Sequence, residues 1–520
     1  MTDDPTDVSD VRTQADLVTR AAVSAPGRTA YIDRDGSMTW TLFDAGVGRV
    51  AAALQALGAA RGDRVVIAVP TTIPFALAYF AASRAGLVAV PANPGFSRRE
   101  LGHVVADSTA AVVVGALDAD GLSAMRDLSG TVSGYLTADD VRRIALDEHA
   151  PSISQVPVES DDLATMVYTS GTTGTPRGAM LTHRNLMANR EQLGRIQPPP
   201  LNAKDVLYVG VPAFHIYGLG SGLCQVAWVG ATGVLVDDFH PVPSLDVIAE
   251  RGVTNILAVP QMYAAWAACD PALLASAFAN VRIASSGAAP LDADVIETLR
   301  EVAGLTIWEG YGLTETSPVV TSTLVGGLPK PGSIGRALPG VEIELRDLED
   351  GSIIDNADPE SDHDSGEIVV RGANVFVGYW PDSADGPDAE GWFATGDIAY
   401  ADDDGDLFLV DRAKELILVS GFNVYPKEVE QVVASLDGVR EVAAVGVPHA
   451  ATGEAVKVFI VREPSEAGSA LDEAAVLDRS ERDLARFKRP TVVEFIDALP
   501  HTSTGKVRRN ALRASEAGKL

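Results

Sequence analysis

Short apolar, β-branched runs alternate with Ala- and Leu-rich stretches along most of this 520-residue chain, and that alternation constrains the fold most. Arg64–Val69 (RVVIAV) reads as a buried strand and Phe75–Ala85 as the helix after it. Ala111–Val114, Val206–Val211, Gly233–Val236 and Asn255–Val259 are further buried strands; Leu245–Arg251 and Met262–Cys269 are helix pieces. Continuously apolar strands separated by helices predict an α/β chain with parallel sheets covered on both faces. Val65–Val90 is mostly apolar, but Pro70, Thr71, Thr72, Pro74 and Arg84 interrupt it. It reads as strand, helix and strand, not a membrane span.

The texture changes near Pro339. Val341–Arg346, Glu367–Arg371 and Asp406–Val410 alternate apolar and polar residues between Gly/Asp turns, which predicts antiparallel sheet. Asp350–Ser365 and Pro381–Gly391 read as surface loops. A small α+β unit is expected from Arg412 onward, with helices over Pro426–Leu436 and Leu471–Ala485. Charge marks the same boundary. The chain has 41 Lys/Arg against 71 Asp/Glu, a net −30, yet Arg412–Leu520 holds 16 of each. The expected organisation is one domain over 1–411, with a sheet-rich subdomain over about 340–411, and a second over 412–520.

So acidic a surface disfavours nucleic acid and anionic lipid at long range. Anionic substrates would then need a locally favourable site built from backbone N–H groups, metal and a few cations. Cys224 and Cys269 form neither a disulfide framework nor a metal-ligand spacing. The acidic start, MTDDPTDVSDVRTQ, lacks the basic and apolar regions of a secretory signal, so a reduced, cytoplasmic enzyme is expected.

The chemistry concentrates in Thr165–Leu186, TMVYTSGTTGTPRGAMLTHRNL. An apolar strand, Met166–Tyr168, runs into ten residues, Thr169 to Gly178, that are all Gly, Ser, Thr, Pro or Arg. Glycines let successive N–H groups converge on an anion, hydroxyls add donors, and Arg177 adds charge. The result is a phosphate cradle without the Gly-x4-Gly-Lys-Ser/Thr spacing of a Walker loop.

Four further segments follow: PAFHIYG at 212–218, SGAAPL at 286–291, WEGYGLTETSP at 308–318 and ATGD at 394–397. Asp411-Arg412-Ala413-Lys414, LVSGFNVYP at 418–426 and LPHTSTGKVRR at 499–509 complete the series. Together, and in this order, they resemble the adenylate-forming superfamily of acyl-CoA synthetases, adenylation domains and firefly-type luciferases. The likeness covers nearly the whole chain. It implies a large N-terminal domain of parallel sheets with a distorted antiparallel β-barrel subdomain, and a small mobile α+β C-terminal domain.

It also implies roles. Thr169, Ser170, Gly171, Thr172, Thr173, Gly174 and Arg177 belong to the phosphate loop, where the family usually has Lys in place of Arg177. Gly287, Ala288, Ala289, Glu309, Gly310, Tyr311 and Gly312 would bind the nucleotide, with Tyr311 stacked on adenine. Thr314 would bond the α-phosphate, and Glu315 would be the Mg²⁺ ligand. Asp397 would accept the ribose hydroxyls, with Arg412 as the matching cation. His215, Ile216, Tyr217, Ala284, Gly287, Pro318 and Val319 would line the acyl pocket. His215 would move between the acid and the thiol path. Ser420, Gly421 and Phe422 would meet CoA, and Asp411 and Lys414 would flank the hinge. Lys506 would be the catalytic lysine. Arg486, Lys488, Arg489, Arg508 and Arg509 add positive charge that could hold CoA phosphates.

The implied reaction joins a carboxylic acid to CoA through an acyl-adenylate, using ATP and Mg²⁺. Ala213-Phe214-His215-Ile216 lacks the Asp with which amino-acid-activating relatives hold an ammonium. A medium- or long-chain fatty acid fits the apolar lining best. An aryl or cinnamate-type acid is the runner-up. Leu418, where luciferases carry Lys, matches bacterial fatty-acid–CoA ligases. A carrier-protein-loading acyl-AMP ligase and an inactive ligand-binding relative are the competing readings; no obvious insertion favours the first, and Glu315 and Lys506 oppose the second. A homodimer, and a lysine acetyltransferase acting on Lys506, are the macromolecular partners entertained.

Overall fold

The computed structural model describes residues 13–116, 130–169, 176–348, 350–354, 365–412, 415, 417–419, 422–449, 452–501, 506–509 and 511–513. They fall into two compact units, Met1–Glu342 with Val370–Phe393, and Ile343–Val369 with Ala394–Leu520.

The first unit carries two sheets. In one, six strands run in the order Gly134–Leu136, Val112–Gly115, Arg64–Ala68, Val88–Pro91, Leu163–Thr169 and Arg177–Thr182. Val88–Pro91 and Val112–Gly115 are buried at every position, as strands covered on both faces must be. The helix between Arg64–Ala68 and Val88–Pro91, Ile73–Arg84, is buried throughout. It can carry Arg84 inward because Asp44 takes that guanidinium at 2.5 Å and through its carbonyl at 2.8 Å. The apolar 65–90 stretch is therefore strand, helix and strand, as its interruptions predict. No helix among the described residues is long and apolar enough to cross a membrane.

The other sheet orders Ser333–Ala337, Val319–Ser322, Ile307–Gly312, Ile283–Ser286, Asn255–Ala258, Val206–Val209, Thr232–Leu235, Thr29–Asp33 and Gly36–Thr39. Its pairings are parallel from Ile307–Gly312 through to Thr29–Asp33. They turn antiparallel beyond Ile307–Gly312. That switch places the WEGYGLTETSP segment at the carboxyl edge of the parallel strands, where α/β sheets bind ligands.

The strand Trp392–Ala401, which enters the second unit at Ala394, pairs antiparallel with Leu407–Arg412, as the alternating pattern predicts. Beyond them Ile417–Val419, Phe422–Val424, Val439–His449 and Gly453–Arg462 form a second antiparallel sheet, to which Val492–Phe495 adds in parallel. Pro426–Ala434 and Glu473–Asp483 are the expected helices, each a little shorter than its apolar pattern. Val429, Val433 and Val476 pack with Val456, Val458 and Ile460 into this unit's core.

Candidate active site

Leu163–Thr169 and Arg177–Thr182 form an antiparallel hairpin in which Thr169 faces Arg177. The phosphate-loop candidates Ser170, Gly171, Thr172, Thr173 and Gly174 lie outside the described residues, between those two strand ends. A further segment extends the hairpin. Met180 donates to Gly378, Val377 to Met180, and Trp380 to Gly178, at 3.0, 3.2 and 2.8 Å. This pairing fixes Tyr379 beside the loop's exit.

Tyr379 joins two of the expected site residues. Its hydroxyl donates to Glu315 Oε1. The Arg177 guanidinium lies 3.9 Å from its ring centroid and pairs with Asp385 at 2.9 Å. Burial and the neighbouring Glu315 carboxylate push the Tyr379 phenol well above its usual range, so it stays a donor. Glu315 itself is 7% exposed. A nearly buried carboxylate with one oxygen oriented by a phenol, next to the hairpin that brackets the expected phosphate loop, suits a hard divalent cation.

The Glu315 turn is built tightly. Leu313–Thr316 closes on itself: the Thr316 hydroxyl accepts from the Leu313 N–H at 2.9 Å and contacts the Pro318 carbonyl at 2.5 Å. A Cβ on Gly312 would sit 2.0 Å from the Pro318 oxygen, so only glycine fits there. Thr314 opens the 3₁₀ turn. Helix His183–Gly194, capped by Thr182 with Asn185, pins the exit of the turn. Asn189 donates to the Val319 carbonyl at 2.8 Å and accepts its N–H at 3.2 Å, while Arg190 donates to the Ser317 carbonyl at 2.8 Å.

Glu309, Gly310, Tyr311 and Gly312 occupy the strand Ile307–Gly312. Glu309 Oε1 accepts the Leu291 N–H at 3.3 Å, tying this strand to the end of the 286–291 segment. Gly287, Ala288 and Ala289 lie between them, Ala288 in the left-handed region at φ 71°. A Cβ on Gly287 would lie 3.1 Å from Tyr217 Cζ, so these two candidate pocket residues face each other. His215 accepts the Tyr217 N–H on Nδ1 at 3.2 Å, and Ile216 and Ala284 are buried. After Tyr217 the chain winds as a π-helix over Gly218–Cys224, a departure that the sequence pattern did not announce. Burial raises the Tyr217 phenol above its usual range.

In the second unit, Asp397 is 5% exposed and pairs in register with Arg412 across the two strands. Gly396 donates to Glu367 at 2.8 Å, and Asp397 N–H to Thr395 Oγ1 at 3.1 Å, which sets the carboxylate's approach. Asp411 is a strand residue; Lys414, Ser420 and Gly421 lie outside the described residues. Phe422 begins a short strand. Lys506 is exposed, and its neighbour Val507 forms a β-bridge with His501. His501 reaches Glu441 at 3.2 Å. Arg509 joins Glu415 and is bidentate on Glu430, at 2.8 Å to Oε2.

Three of the five basic residues offered for CoA phosphates are thus in ion pairs: Arg509 as above, Lys488 with Glu428 at 2.7 Å and Arg489 with Glu481 at 2.9 Å. Arg486 and Arg508 are exposed. Sequence reasoning missed Tyr379, Asn189 and Arg190. Each acts through a partner far along the chain, which local spacing cannot signal.

Residues 18–380 match the family described as AMP-binding enzyme, and residues 428–506 match the AMP-binding enzyme C-terminal domain. A long-chain-fatty-acid–CoA ligase of Escherichia coli O157:H7 is 34% identical, covering 100% of this chain and 97% of its own. A feruloyl-CoA synthase of an Amycolatopsis species is also 34% identical, over 95% and 97%. The crystal structure of ATP-bound MatB from Rhodopseudomonas palustris superposes with a TM-score of 0.87 at 32% identity, over 96% and 98%. The chain therefore belongs to the AMP-binding enzyme family and is an adenylate-forming acyl-CoA synthetase.

Proposed function

We propose that this acyl-CoA synthetase activates a medium- or long-chain fatty acid. The acid's oxygen attacks the α-phosphorus of ATP and pyrophosphate leaves. The CoA thiol then attacks the acyl carbon and AMP leaves. The observation that carries the adenylation chemistry is the buried Glu315 carboxylate, oriented by Tyr379 beside the Thr169–Arg177 hairpin. Bound there, Mg²⁺ would neutralise phosphate charge. Thr314 would donate to the α-phosphate, and Arg177 would add a guanidinium at the loop. Lys506 would offset the charge that builds on the phosphoryl oxygens in the transition state. Asp397 and Arg412 would orient the ribose, and Asp411–Lys414 would mark the functional boundary between the two catalytic parts.

The fatty-acid assignment rests on the apolar Ile216, Ala284, Pro318 and Val319 and on the full-length likeness to long-chain-fatty-acid–CoA ligases. The equal likeness to a feruloyl-CoA synthase favours an aryl acid as the second reading. Pyrophosphate release with ATP, Mg²⁺ and a pool of fatty acids, with and without CoA, tests it. Multiple turnover only with CoA, with an acyl-CoA mass appearing, supports the ligase. A single turnover of acyl-AMP untouched by CoA would point to a carrier-protein acceptor, and turnover confined to aryl acids would transfer the assignment to them.

A further inference from the structure

Arg177 is the only charged residue in the run from Thr169 to Gly178, and its guanidinium is already engaged. Nη1 pairs with Asp385 at 2.9 Å, while Cζ lies 3.9 Å from the Tyr379 ring centroid. The two contacts differ in kind. The ring is neutral, and the main-chain pairing of its neighbours with Gly178 and Met180 holds it in place. Asp385 is an anion whose side chain is 74% exposed, against 29% for Arg177, so the pair stands open to solvent.

A tight turn presents that anion. Tyr379 donates its N–H to the Ala384 carbonyl at 3.1 Å, and Ser383 donates to the Tyr379 carbonyl at 2.9 Å. Ser383 and Asp385 both lie in the left-handed region, at φ 61° and 50°, which residues other than glycine seldom adopt. Gly378 closes the turn at φ 116°, and a Cβ there would collide with the Ser383 backbone. Uncommon backbone at two consecutive odd positions, ending in an acid against the one cation of a phosphate-cradle segment, points to a role at that segment. A guanidinium binds carboxylate and phosphate through the same fork, so a phosphate arriving at Arg177 meets a group that a carboxylate already holds. We propose that Asp385 is an internal competitor of the nucleotide's phosphates for Arg177. It occupies the guanidinium in the free enzyme, gives it up to bound phosphate, and so weakens the hold on both ATP and pyrophosphate. This rests on the adenylation reading of the site and adds to it a residue that sets affinity for the phosphate substrate and the phosphate product.

Isothermal titration calorimetry of the full chain with Mg²⁺-ATP and with Mg²⁺-pyrophosphate tests it, and needs no carboxylic acid. Asp385→Asn keeps the side chain's shape and a residue type that tolerates positive φ, so the turn is retained. It is expected to tighten both ligands by about two- to fivefold, the range of an exposed ion pair. Arg177→Gln should weaken both, and adding Asp385→Asn to Arg177→Gln should change neither further, because the competitor then has nothing to occupy. Binding left unchanged by Asp385→Asn overturns the proposal. So does weakened binding, which would mean that Asp385 holds Arg177 ready for phosphate. Equal tightening with and without Arg177 also overturns it, since Asp385 would then repel anions directly. Pyrophosphate release from an acid pool judges the ligase reading separately: no release from a chain whose ATP binding shifts as expected would refute that reading and leave this one standing. A wild type that binds neither ligand would overturn both.

Discussion

Lys506 and Tyr379 carry different expectations. Lys506 is exposed, so removing it should disturb chemistry more than folding. Lys506→Ala is expected to slow acyl-AMP formation by on the order of 10²–10³, the usual cost of one well-placed charged donor. Acyl-AMP made at the wild-type rate in single-turnover quench would refute its role. Tyr379 acts through Glu315. Tyr379→Phe keeps the ring under Arg177 and deletes only the hydroxyl on the carboxylate. Losing such an outer partner typically weakens metal affinity by about 10–100-fold. A Mg²⁺ titration of pyrophosphate release should therefore shift to higher concentration, with activity recovered at saturation. An unshifted titration would leave Tyr379 a packing residue. Glu315 and Lys506 were singled out as candidates by their flanking motifs. Tyr379 was not, because its importance comes from a segment 64 residues away in sequence.

Elements explain both the successes and the misses. Arg64–Ala68, Val112–Gly115 and Asn255–Ala258 were readable as strands because burial on both faces leaves a continuous apolar run. The π-helix Gly218–Cys224 was not, since GLGSGLC has no helical period and its shape follows from packing against Pro318, Val209 and Leu257. The segment just after Lys506 is anchored by residues distant in sequence. Arg509 is 18% exposed and joins Glu415, before the strand Ile417–Val419, to Glu430 on the helix Pro426–Ala434. Arg509→Met leaves two half-buried carboxylates facing each other and should destabilise the second unit by about 1–3 kcal/mol. It should also reduce kcat for pyrophosphate release by about tenfold, with the KM for ATP little changed, because a displaced lysine costs transition-state stabilisation and not ground-state binding. Lost stability with wild-type kcat would show that the anchor serves the fold alone.

The net charge of −30 sets the whole molecule's response to acid, but one group gives that response a testable shape. His183 starts the helix that pins the Glu315 turn, and it is 1% exposed. Its Nδ1 accepts the Gln14 N–H at 3.4 Å, so the neutral ring also ties the N-terminal helix to this layer. Burial lowers its pKa from 6.5 to about 4, against the opposing pull of Asp16 and Asp162. Between those values the unfolded chain binds a proton that the folded one refuses, so stability rises with pH there and is lost as pH falls from 6.5 towards 4. The full loss from this one ring is roughly 3 kcal/mol. His183→Asn keeps an acceptor near the Nδ1 position but cannot take up the proton. Carboxylate titration is common to both proteins and cancels in their difference. Urea titrations from pH 7 to pH 4 should show the wild type losing more stability than the variant, with the gap opening below pH 6.5. Parallel curves would mean that His183 gains a proton without unfolding, and that acid acts on this molecule through its carboxylates instead.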